Sequence, residues 1–236
     1  MPSANPSPTH PIAELRAVRK TYREGTTDHV VLDDADLLLA AGERVVLLGR
    51  SGSGKSTALN LLAGIDRPDQ GQVLLGGHDL GQLGERRRTL LRRDRIGFVF
   101  QFFNLIPTLT AEENVLLPLE LQGRLGPETR QRALELLAAL GLGDRLRSFP
   151  DVLSGGEQQR VAIVRALAHE PLLVLADEPT GNLDGETAEQ VLGCLLDTTA
   201  QVGATLLMAT HSPSVAERAD RVLRVQSGQL VDVTAP

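Results

Sequence analysis

The amino-acid sequence predicts an α/β protein built around a mainly parallel sheet. Short apolar runs typical of buried strands, such as ERVVLLG (43–49) and LLVLAD (172–177), alternate with helical patterns such as STALNLLAG (56–64). Between the first of these strands and that helix lies the glycine-rich segment GRSGSGKST (49–57). Alternation of this kind favours parallel strands joined by helices, and the glycine-rich turn is typical of a helix N-terminus that binds phosphate.

The elements follow one another in a regular order. Strand-like runs are VVLDDADLLL (30–39), ERVVLLG (43–49), GQVLLGG (71–77), RIGFVF (95–100), LLVLAD (172–177), GATLLMAT (203–210) and RVLRVQSG (221–228). Helical patterns are STALNLLAG (56–64), AEENVLLPLEL (111–121), ETRQRALELLAAL (128–140), QQRVAIVRALAHE (158–170) and TAEQVLGCLLDTTA (187–200). We expect the strands to form the centre of the protein and most of the helices to cover it.

One stretch departs from the alternation. Residues 104–168 carry helical patterns without a convincing strand, and we interpret them as a helical subdomain inserted into the α/β core. Two helix starts there have capping-box spacing, Thr110 with Glu113 and Ser154 with Glu157. The sequence predicts one domain over residues 13–236, preceded by a proline-rich tail over residues 1–12 that we expect to be disordered.

Composition narrows the class of protein. The chain has 236 residues, 42% of them hydrophobic, which is enough for one large domain with an inserted subdomain. The net charge is −6, so the chain lacks the positive field that attracts proteins to nucleic acid, and we expect no nucleic-acid partner. The N-terminus lacks the apolar core of a signal peptide, and no run approaches the roughly 18 apolar residues of a membrane span. We therefore expect a cytoplasmic protein.

The glycine-rich segment carries the most specific motif. It matches the P-loop pattern in full, with Gly49, four residues, then Gly54, Lys55 and Ser56. Backbone N–H groups of such a loop surround phosphates, the lysine reaches the β- and γ-phosphates, and the hydroxyl holds Mg²⁺. The predicted nucleotide-binding residues here are Gly49, Arg50, Ser51, Gly52, Ser53, Gly54, Lys55, Ser56 and Thr57.

Polar side chains end two further predicted strands. LLVLADE delivers Asp177 and Glu178 at its carboxyl end, and ATLLMATHS delivers His211. Open α/β sheets bind ligands at that edge. In a P-loop enzyme Asp177 suits the magnesium shell and Glu178 is placed to polarise a water molecule. His211 is a candidate sensor of the γ-phosphate, although an isolated histidine more often has a structural role.

Residues 153–160, LSGGEQQR, allow two interpretations. Ser154 and Glu157 have the spacing of a capping box, which the sequence supports on its own. The alternative is a second anion site at a helix N-terminus. Gly155 and Gly156 favour it, because glycine within a helix costs roughly 1 kcal/mol relative to alanine and needs another reason, such as close backbone approach to an anion.

These motifs, in this order, are similar to those of the nucleotide-binding subunits of ABC transporters. The resemblance covers residues 13–231 and adds FVFQFFNL with Gln101 as the glutamine loop and GNLD with Asp184 as the D-loop. LSGGEQQR resembles the family signature, LLVLADE the Walker B strand, and His211 the switch histidine. The resemblance implies the ABC ATPase fold: a P-loop core with a mainly parallel sheet, an N-terminal antiparallel β region and an inserted helical subdomain.

The resemblance also implies an ATPase that uses ATP and Mg²⁺. The implied catalytic residues are Glu178 as general base with His211, Gln101 and Lys55, and the implied metal ligands are Ser56, Gln101 and Asp177. Tyr22 resembles the aromatic residue that stacks on adenine, although an ordinary half-exposed ring is the alternative. Ser212, where relatives often have aspartate, puts the hydrogen bonding around His211 in question but not its role.

Two kinds of partner follow from the resemblance. Subunits of this family pack head to tail, so it implies a homodimer in the ATP-bound state. The residues that contact the other subunit's ATP are then Ser154, Gly155, Gly156 and Glu157 in trans, with Asp184 in the same interface. The other partner is an integral membrane permease, which holds the ATPase on the inner face of the cell membrane.

FQFFNLIPTLTAEENVLLPLEL and LADEPTGNLD resemble the branch that includes lipoprotein-release, macrolide-export and cell-division ATPases. A soluble ABC-type ATPase that acts on nucleic acid or ribosomes is the alternative function, disfavoured by the acidic charge. We expect Phe98 and Phe100 to lie in the core, and Phe102 and Phe103 to line a groove for a permease helix. The arginine cluster over residues 86–95 predicts a solvated helix face, or else a contact with a partner or anionic headgroups.

Overall fold

The computed structural model describes residues 11–234. Residues 1–10 of the predicted tail lie outside this range. Ile12 donates its N–H to Leu39 O at 2.8 Å and accepts from Gly76 N at 2.7 Å, so packing begins one residue before the predicted start at Ala13. Within the described range, no helix combines the length and apolar character needed to cross a membrane.

The elements are as follows. The strands are β1 Ala13–Glu24, β2 Thr27–Leu39, β3 Arg44–Leu48, β4 Gln70–Leu75, β5 His78–Asp79, β6 Ile96–Phe100, β7 Leu173–Asp177, β8 Thr205–Thr210, β9 Arg221–Gln226 and β10 Gln229–Asp232. The α-helices are α1 Lys55–Leu62, α2 Glu85–Arg95, α3 Ala111–Leu121, α4 Pro127–Ala139, α5 Gly155–Leu167, α6 Gly185–Val202 and α7 Pro213–Ala216. Short 3₁₀ turns join some of them.

The central sheet has the order β10-β9-β3-β8-β7-β6. All its pairs are parallel except β9 with β10, which confirms the mainly parallel sheet. The central strands β3, β7 and β8 are nearly continuous apolar runs because both of their faces are covered. In β7, Leu173 and Leu175 face one core cluster while Val174 and Ala176 face another.

A second sheet, β2-β1-β4-β5, is antiparallel throughout, as predicted for the N-terminal region. It encloses α1 against the central sheet, so that Ala58, Leu59, Leu61 and Leu62 of this helix belong to the largest core cluster. This packing fixes the P-loop helix between two layers.

Residues 101–172, between β6 and β7, form helices and loops without a strand. Helices α3, α4 and α5 share their own apolar cluster. Helix α5 also lies directly on β6: a Cβ on Gly97 would collide with the carbonyl oxygen of Ala166. Since Ile163 and Leu167 of α5 pack into the cluster on the central sheet, α5 joins the inserted helices to the core.

The arginine cluster differs from the solvated helix face that the sequence predicts. In α2, Arg88 is buried beside Gly64, and Arg92 donates to Ala63 O and Gly64 O at 3.4 and 3.1 Å. These carbonyls end α1, where a cation complements the negative end of the helix dipole. Arg86, Arg87 and Arg95 remain exposed, so only part of the cluster matches the prediction.

Candidate nucleotide site

The predicted phosphate loop lies between β3 and α1 and encloses its own lysine. The Lys55 side chain is 6% exposed, and its Nζ donates to Gly49 O at 2.8 Å and Arg50 O at 3.1 Å. Both acceptors are carbonyls of the same loop, which holds the ammonium group at the floor of the turn. The Lys55 Nζ also lies 3.7 Å from Glu178 Oε1.

Adjacent strands bring the acidic residues and the histidine together. Asp177 ends β7 and Glu178 follows with φ 46°, in the left-handed region, while its N–H donates to Ala209 O at 2.9 Å. Because β8 is the neighbour of β7, His211 emerges beside it, and its Nδ1 lies 2.9 Å from Glu178 Oε2. The Glu178 carboxylate therefore lies between Lys55 and His211.

Tyr22, the residue predicted to stack on the adenine base, lies in β1 of the antiparallel sheet. The Tyr22 ring is 37% exposed, and its hydroxyl donates to Asp66 Oδ2 at 2.7 Å. Lys20 Nζ lies 5.0 Å from the ring centroid and 2.8 Å from Asp66 Oδ1. Burial, followed by the Asp66 hydrogen bond, raises the pKa of Tyr22. Burial alone would raise the pKa of Asp66, but hydrogen bonds from Lys20, Tyr22 and the Arg67 backbone lower it.

These groups surround one cavity of about 880 Å³. The predicted residues that line it are Tyr22, Arg50, Ser51, Gly52, Gly54, Lys55, Ser56, Thr57, Gln101, Asp177, Glu178 and His211. Gly49 and Ser53 belong to the loop but not to the lining, and Ser154, Gly155, Gly156, Glu157 and Asp184 lie outside it. Within one chain, therefore, the cavity includes the predicted P-loop site, whereas the second predicted anion site, at the signature, lies outside the cavity.

Two predicted loops are joined by a pair of side-chain amides. Gln101 Nε2 donates to Asn182 Oδ1 at 3.0 Å, and Asn182 Nδ2 donates to Gln101 O at 3.0 Å. Asn182 lies in the GNLD segment, two residues before Asp184. Asp184 itself caps α6 by accepting from Thr187 N at 3.1 Å, and this N–H lowers the pKa of its carboxyl.

The signature segment forms the predicted capping box. Ser154 N donates to Glu157 Oε2 at 2.8 Å, and Glu157 N donates to Ser154 Oγ at 3.3 Å. The Ser154 N–H, together with its hydroxyl, lowers the pKa of Glu157. Gly156 has a packing reason that the sequence did not reveal, since a Cβ there would lie 2.5 Å from Thr187 Cγ2. This contact accounts for the glycine at 156 by packing, whereas the approach of Gly155 and Gly156 to an anion stays a prediction.

Three polar residues around these loops were not predicted from the sequence: Asn114 and Gln159, which are fully buried, and Arg165, which is half-buried. Asn114 is fully buried and accepts from Ile106 N at 2.8 Å. Arg165 Nη2 donates to Phe103 O at 2.8 Å, and burial lowers its pKa to about 10. Gln159 is fully buried in the signature helix. Its position four residues before Ile163, on the apolar face of α5, was the available signal.

A groove of about 620 Å³ lies between β6, α2 and α3. Apolar residues of α3 line one side, and Phe98 and Phe100 stack with ring centroids 4.9 Å apart on the other. The prediction for the phenylalanines is thus partly wrong. Phe98 and Phe100 both line this groove, and Phe100 also lines the nucleotide cavity, as does Phe102, which is 72% exposed. Strand β6 ends at Phe100, so its alternation does not extend to the following residues.

Comparison with known proteins identifies the family. Residues 32–181 match the protein family described as ABC transporter. The chain belongs to the ABC transporter family. It is an ATP-binding subunit of this family and an ATPase, as the resemblance implied, and the function on nucleic acid or ribosomes is not favoured.

Individual ABC transporter proteins are similar over nearly the whole chain. An uncharacterized ABC transporter ATP-binding protein of Mycobacterium tuberculosis is 58% identical over 94% of this chain and 89% of its own length. The lipoprotein-releasing system ATP-binding protein LolD of Granulibacter bethesdensis is 50% identical over 92% of this chain and 95% of its own. A solved dimer of the ATP-binding cassette MJ0796, bound to ADP and Pi, has TM-score 0.83 and 41% identity, covering 92% and 96% of the two chains. The predicted ABC ATPase fold is confirmed.

Proposed function

We propose that this subunit binds ATP with Mg²⁺ in the cavity described above and hydrolyses it to drive a membrane permease of the lipoprotein-release or macrolide-export type. The observation that carries the proposal is the arrangement of three side chains. Glu178 Oε1 lies 3.7 Å from Lys55 Nζ, and Glu178 Oε2 lies 2.9 Å from His211 Nδ1, in one cavity that Tyr22 also lines. A cation that stabilises phosphate charge, a general base for catalysis and an aromatic ring for stacking on adenine thus line the same cavity.

The residues present fit Mg²⁺ bound together with a nucleotide. No group of three or more His, Cys, Asp or Glu side chains among residues 11–234 could hold a metal by itself. Mg²⁺ in phosphoryl-transfer sites needs only one or two protein ligands, because phosphates and water supply the others. Ser56 and Asp177 line the cavity and would hold it, with Gln101 nearby. When bound, Mg²⁺ neutralises the negative charge of the phosphates.

The protein's own residues account for the remaining chemistry. The loop over residues 49–57 donates backbone N–H groups to the phosphates, and Tyr22 stacks on the base. Glu178 accepts a proton from the attacking water, and His211 and Gln101 position that water and the γ-phosphate. Lys55 balances the charge that develops on the phosphate oxygens, which requires it to exchange a loop carbonyl for a phosphate.

A second copy of the chain would complete the site. The signature residues Ser154, Gly155, Gly156 and Glu157, and Asp184, lie outside the cavity of their own chain. The related MJ0796 cassette is described as a dimer. In a head-to-tail homodimer the N-terminus of α5 would face the partner's γ-phosphate, where its free N–H groups stabilise negative charge.

The groove between β6, α2 and α3 suits a permease segment. It joins apolar side chains of α3 with Arg92, Arg93 and Arg165, and it contacts Phe100, the neighbour of Gln101. A helix seated there would hold the subunit on the inner face of the membrane and contact the glutamine loop. We propose residues 104–168 as the helical subdomain within a single domain over residues 13–236. The lipoprotein-release branch is supported by the identity with LolD proteins.

The variant Glu178→Gln tests the proposal. Glutamine keeps nearly the same shape but cannot accept the proton, so hydrolysis should slow by about 10²–10⁴-fold while ATP binding persists. Because the bound ATP is not hydrolysed, the variant should accumulate as a closed, ATP-bound dimer. A phosphate-release assay measures the first effect, and size-exclusion chromatography with ATP and Mg²⁺ measures the second.

Glu128→Gln is the matched control, because Glu128 is an exposed carboxylate outside the cavity. It should hydrolyse ATP at the wild-type rate. Wild-type hydrolysis by Glu178→Gln would exclude this residue as the base. An inactive Glu178→Gln that stays monomeric at high concentration would retain the base and exclude dimerisation without the permease.

A further inference from the structure

We infer that Gln159 is a positioning residue for ATP hydrolysis, which ties the signature helix to the two loops that carry Gln101 and Glu178. The inference rests on the proposed catalytic roles of those two residues. Its basis is a single buried carboxamide that contacts both loops.

Gln159 is fully buried, and its Nε2 donates to Pro179 O at 2.6 Å and Phe100 O at 3.1 Å. Both partners are backbone carbonyls, which only accept hydrogen bonds, so the NH₂ end of the amide must face them. A primary amide carries two N–H donors, one for each carbonyl. Leucine or methionine at this position could make neither bond.

The two carbonyls are adjacent to the proposed catalytic residues. Phe100 directly precedes Gln101, and Pro179 directly follows Glu178. Glu178 has φ 46°, a backbone conformation that persists only where the surroundings hold it. The Gln159 amide is one such restraint, with the bond from Gly181 N to Glu178 O at 3.0 Å as another. Loss of the amide would leave both loops free to shift.

A role limited to filling space does not account for this side chain. Gln159 Oε1 is buried and has no hydrogen-bond partner within the described part of the chain. Burying an unpaired acceptor opposes folding, and an apolar residue of similar size would avoid the cost. The donors on Nε2 therefore explain why an amide lies on an otherwise apolar face beside Ile163 and Leu167.

The helix that carries Gln159 also begins with the signature. Ser154 caps α5, and Gln159 lies five residues later, about 7.5 Å along the axis. A movement of α5 when a partner's ATP reaches Ser154 would move the Gln159 amide and, through it, both carbonyls. The positions of Gln101 and Glu178 thus depend on where α5 lies.

The test compares Gln159→Met with Gln158→Met. The control makes the same change at the next residue, whose Nε2 bonds Leu153 O at 3.0 Å, away from both loops. Because small misplacements of catalytic groups slow reactions by up to about 10²-fold, we expect kcat of Gln159→Met to fall by about 10–10²-fold. The KM for ATP and the Kd for a fluorescent ATP analogue should stay within about twofold of the control's, since the phosphate loop is untouched.

A second variant, Gln159→Glu, separates positioning from packing. A protonated carboxyl donates one hydrogen bond and an ionised one donates none, and burial raises the pKa of a carboxyl. Its kcat relative to wild type should therefore fall as pH rises, whereas the ratio for Gln159→Met should not change with pH. Urea unfolding at each pH gives the folded fraction, to which the rates are normalised.

The inference is overturned if Gln159→Met, normalised in this way, matches Gln158→Met, or if its loss appears in nucleotide affinity rather than in kcat. It is also overturned if Gln159→Glu shows no pH dependence relative to wild type. These results leave the base assignment intact as long as Glu178→Gln remains slow. Wild-type hydrolysis by Glu178→Gln would reject the proposed function itself.

Discussion

Two side chains, Asp66 and Lys20, fix the orientation of the Tyr22 ring. Its hydroxyl donates to Asp66, and Asp66 in turn accepts from Lys20, whose Nζ lies 5.0 Å from the ring centroid. The carboxylate thus pins the phenol end while the ring face remains at the cavity. A pre-oriented ring loses little conformational entropy when a base stacks on it.

We expect Tyr22→Ala to weaken ATP binding by about 1–3 kcal/mol, because it removes the stacking surface. Tyr22→Phe keeps the ring and loses only the bond to Asp66, so its cost should not exceed about 0.5–1.5 kcal/mol. Equilibrium titration with ATP and with a base-free triphosphate measures both. Stacking is excluded if Tyr22→Ala weakens the two ligands equally.

At the scale of elements, helices α5 and α6 meet at their N-termini. A Cβ at Gly156 would lie 2.5 Å from Thr187 Cγ2, and Thr187 N is the donor that Asp184 caps. Glycine at 156 therefore sets the spacing between the signature and the D-loop. The contact depends on both helices, so changes at Gly156 in α5 and at Thr187 in α6 should affect stability together.

Gly156→Ala should destabilise the protein by about 1–2 kcal/mol, because the new methyl group is overpacked against Thr187. Thr187→Ser removes only the Cγ2 methyl, and in that background Gly156→Ala should stabilise by up to about 1 kcal/mol through helix propensity. A double-mutant cycle from urea unfolding measures the change of sign. Destabilisation of equal size in both backgrounds would rule out the contact.

How far the sequence predicts these elements depends on how local their signals are. Helix α3 was predicted at its observed bounds, 111–121, because Thr110 and Glu113 mark its start and its apolar spacing is regular. Strand β1 was not among the predicted strands. Its register shifts around Ala17, which has φ 48°, and this bulge interrupts the alternation on which a prediction depends.

In the candidate site too, the features with local sequence signals could be predicted and those without could not. The P-loop and the ends of β7 and β8 are contiguous motifs, so the residues around Lys55 and Glu178 could be predicted. The bonds from Gln159 to Phe100 and Pro179 span 59 and 20 residues of sequence. Only the packing of α5 on β6 brings these groups together, and no pattern within one segment encodes it.

At the scale of the whole molecule, each chain has a nucleotide cavity on one surface and its signature on another. Ser154 has the same capping geometry as Thr110, whose N–H donates to Glu113 at 2.8 Å and which accepts from Glu113 N at 3.3 Å. Because the capping hydrogen bonds are the same, Ser154 and Thr110 should stabilise their helices equally. A role for Ser154 beyond capping would show only in the dimer.

We expect Ser154→Arg to leave ATP binding by a single chain nearly unchanged but to prevent the ATP-bound dimer, since a long cationic side chain would obstruct the partner's γ-phosphate. Thr110→Arg is the matched control, because it loses the same cap, worth about 0.5–2 kcal/mol, on a helix outside the proposed interface. Both are made in Glu178→Gln and run on size-exclusion chromatography with ATP and Mg²⁺.

Dimer formation by Ser154→Arg at the level of Thr110→Arg would reject the trans role of the signature. Loss of ATP binding by monomeric Ser154→Arg would also reject it, because the cavity of the same chain does not include this residue.

Helix α1, behind the phosphate loop, is only 8 residues long. An isolated helix shorter than about 12–15 residues is marginal in water, so α1 depends on the two sheets that enclose it. Unfolding the core thus abolishes the ATP site, and a ligand that binds only the native chain stabilises it by mass action, by about 2.7 kcal/mol at 100 times its Kd. Occupation of the phosphate loop therefore stabilises the fold that forms it, and any nucleotide that fills the site lowers the fraction of unfolded chain open to proteases.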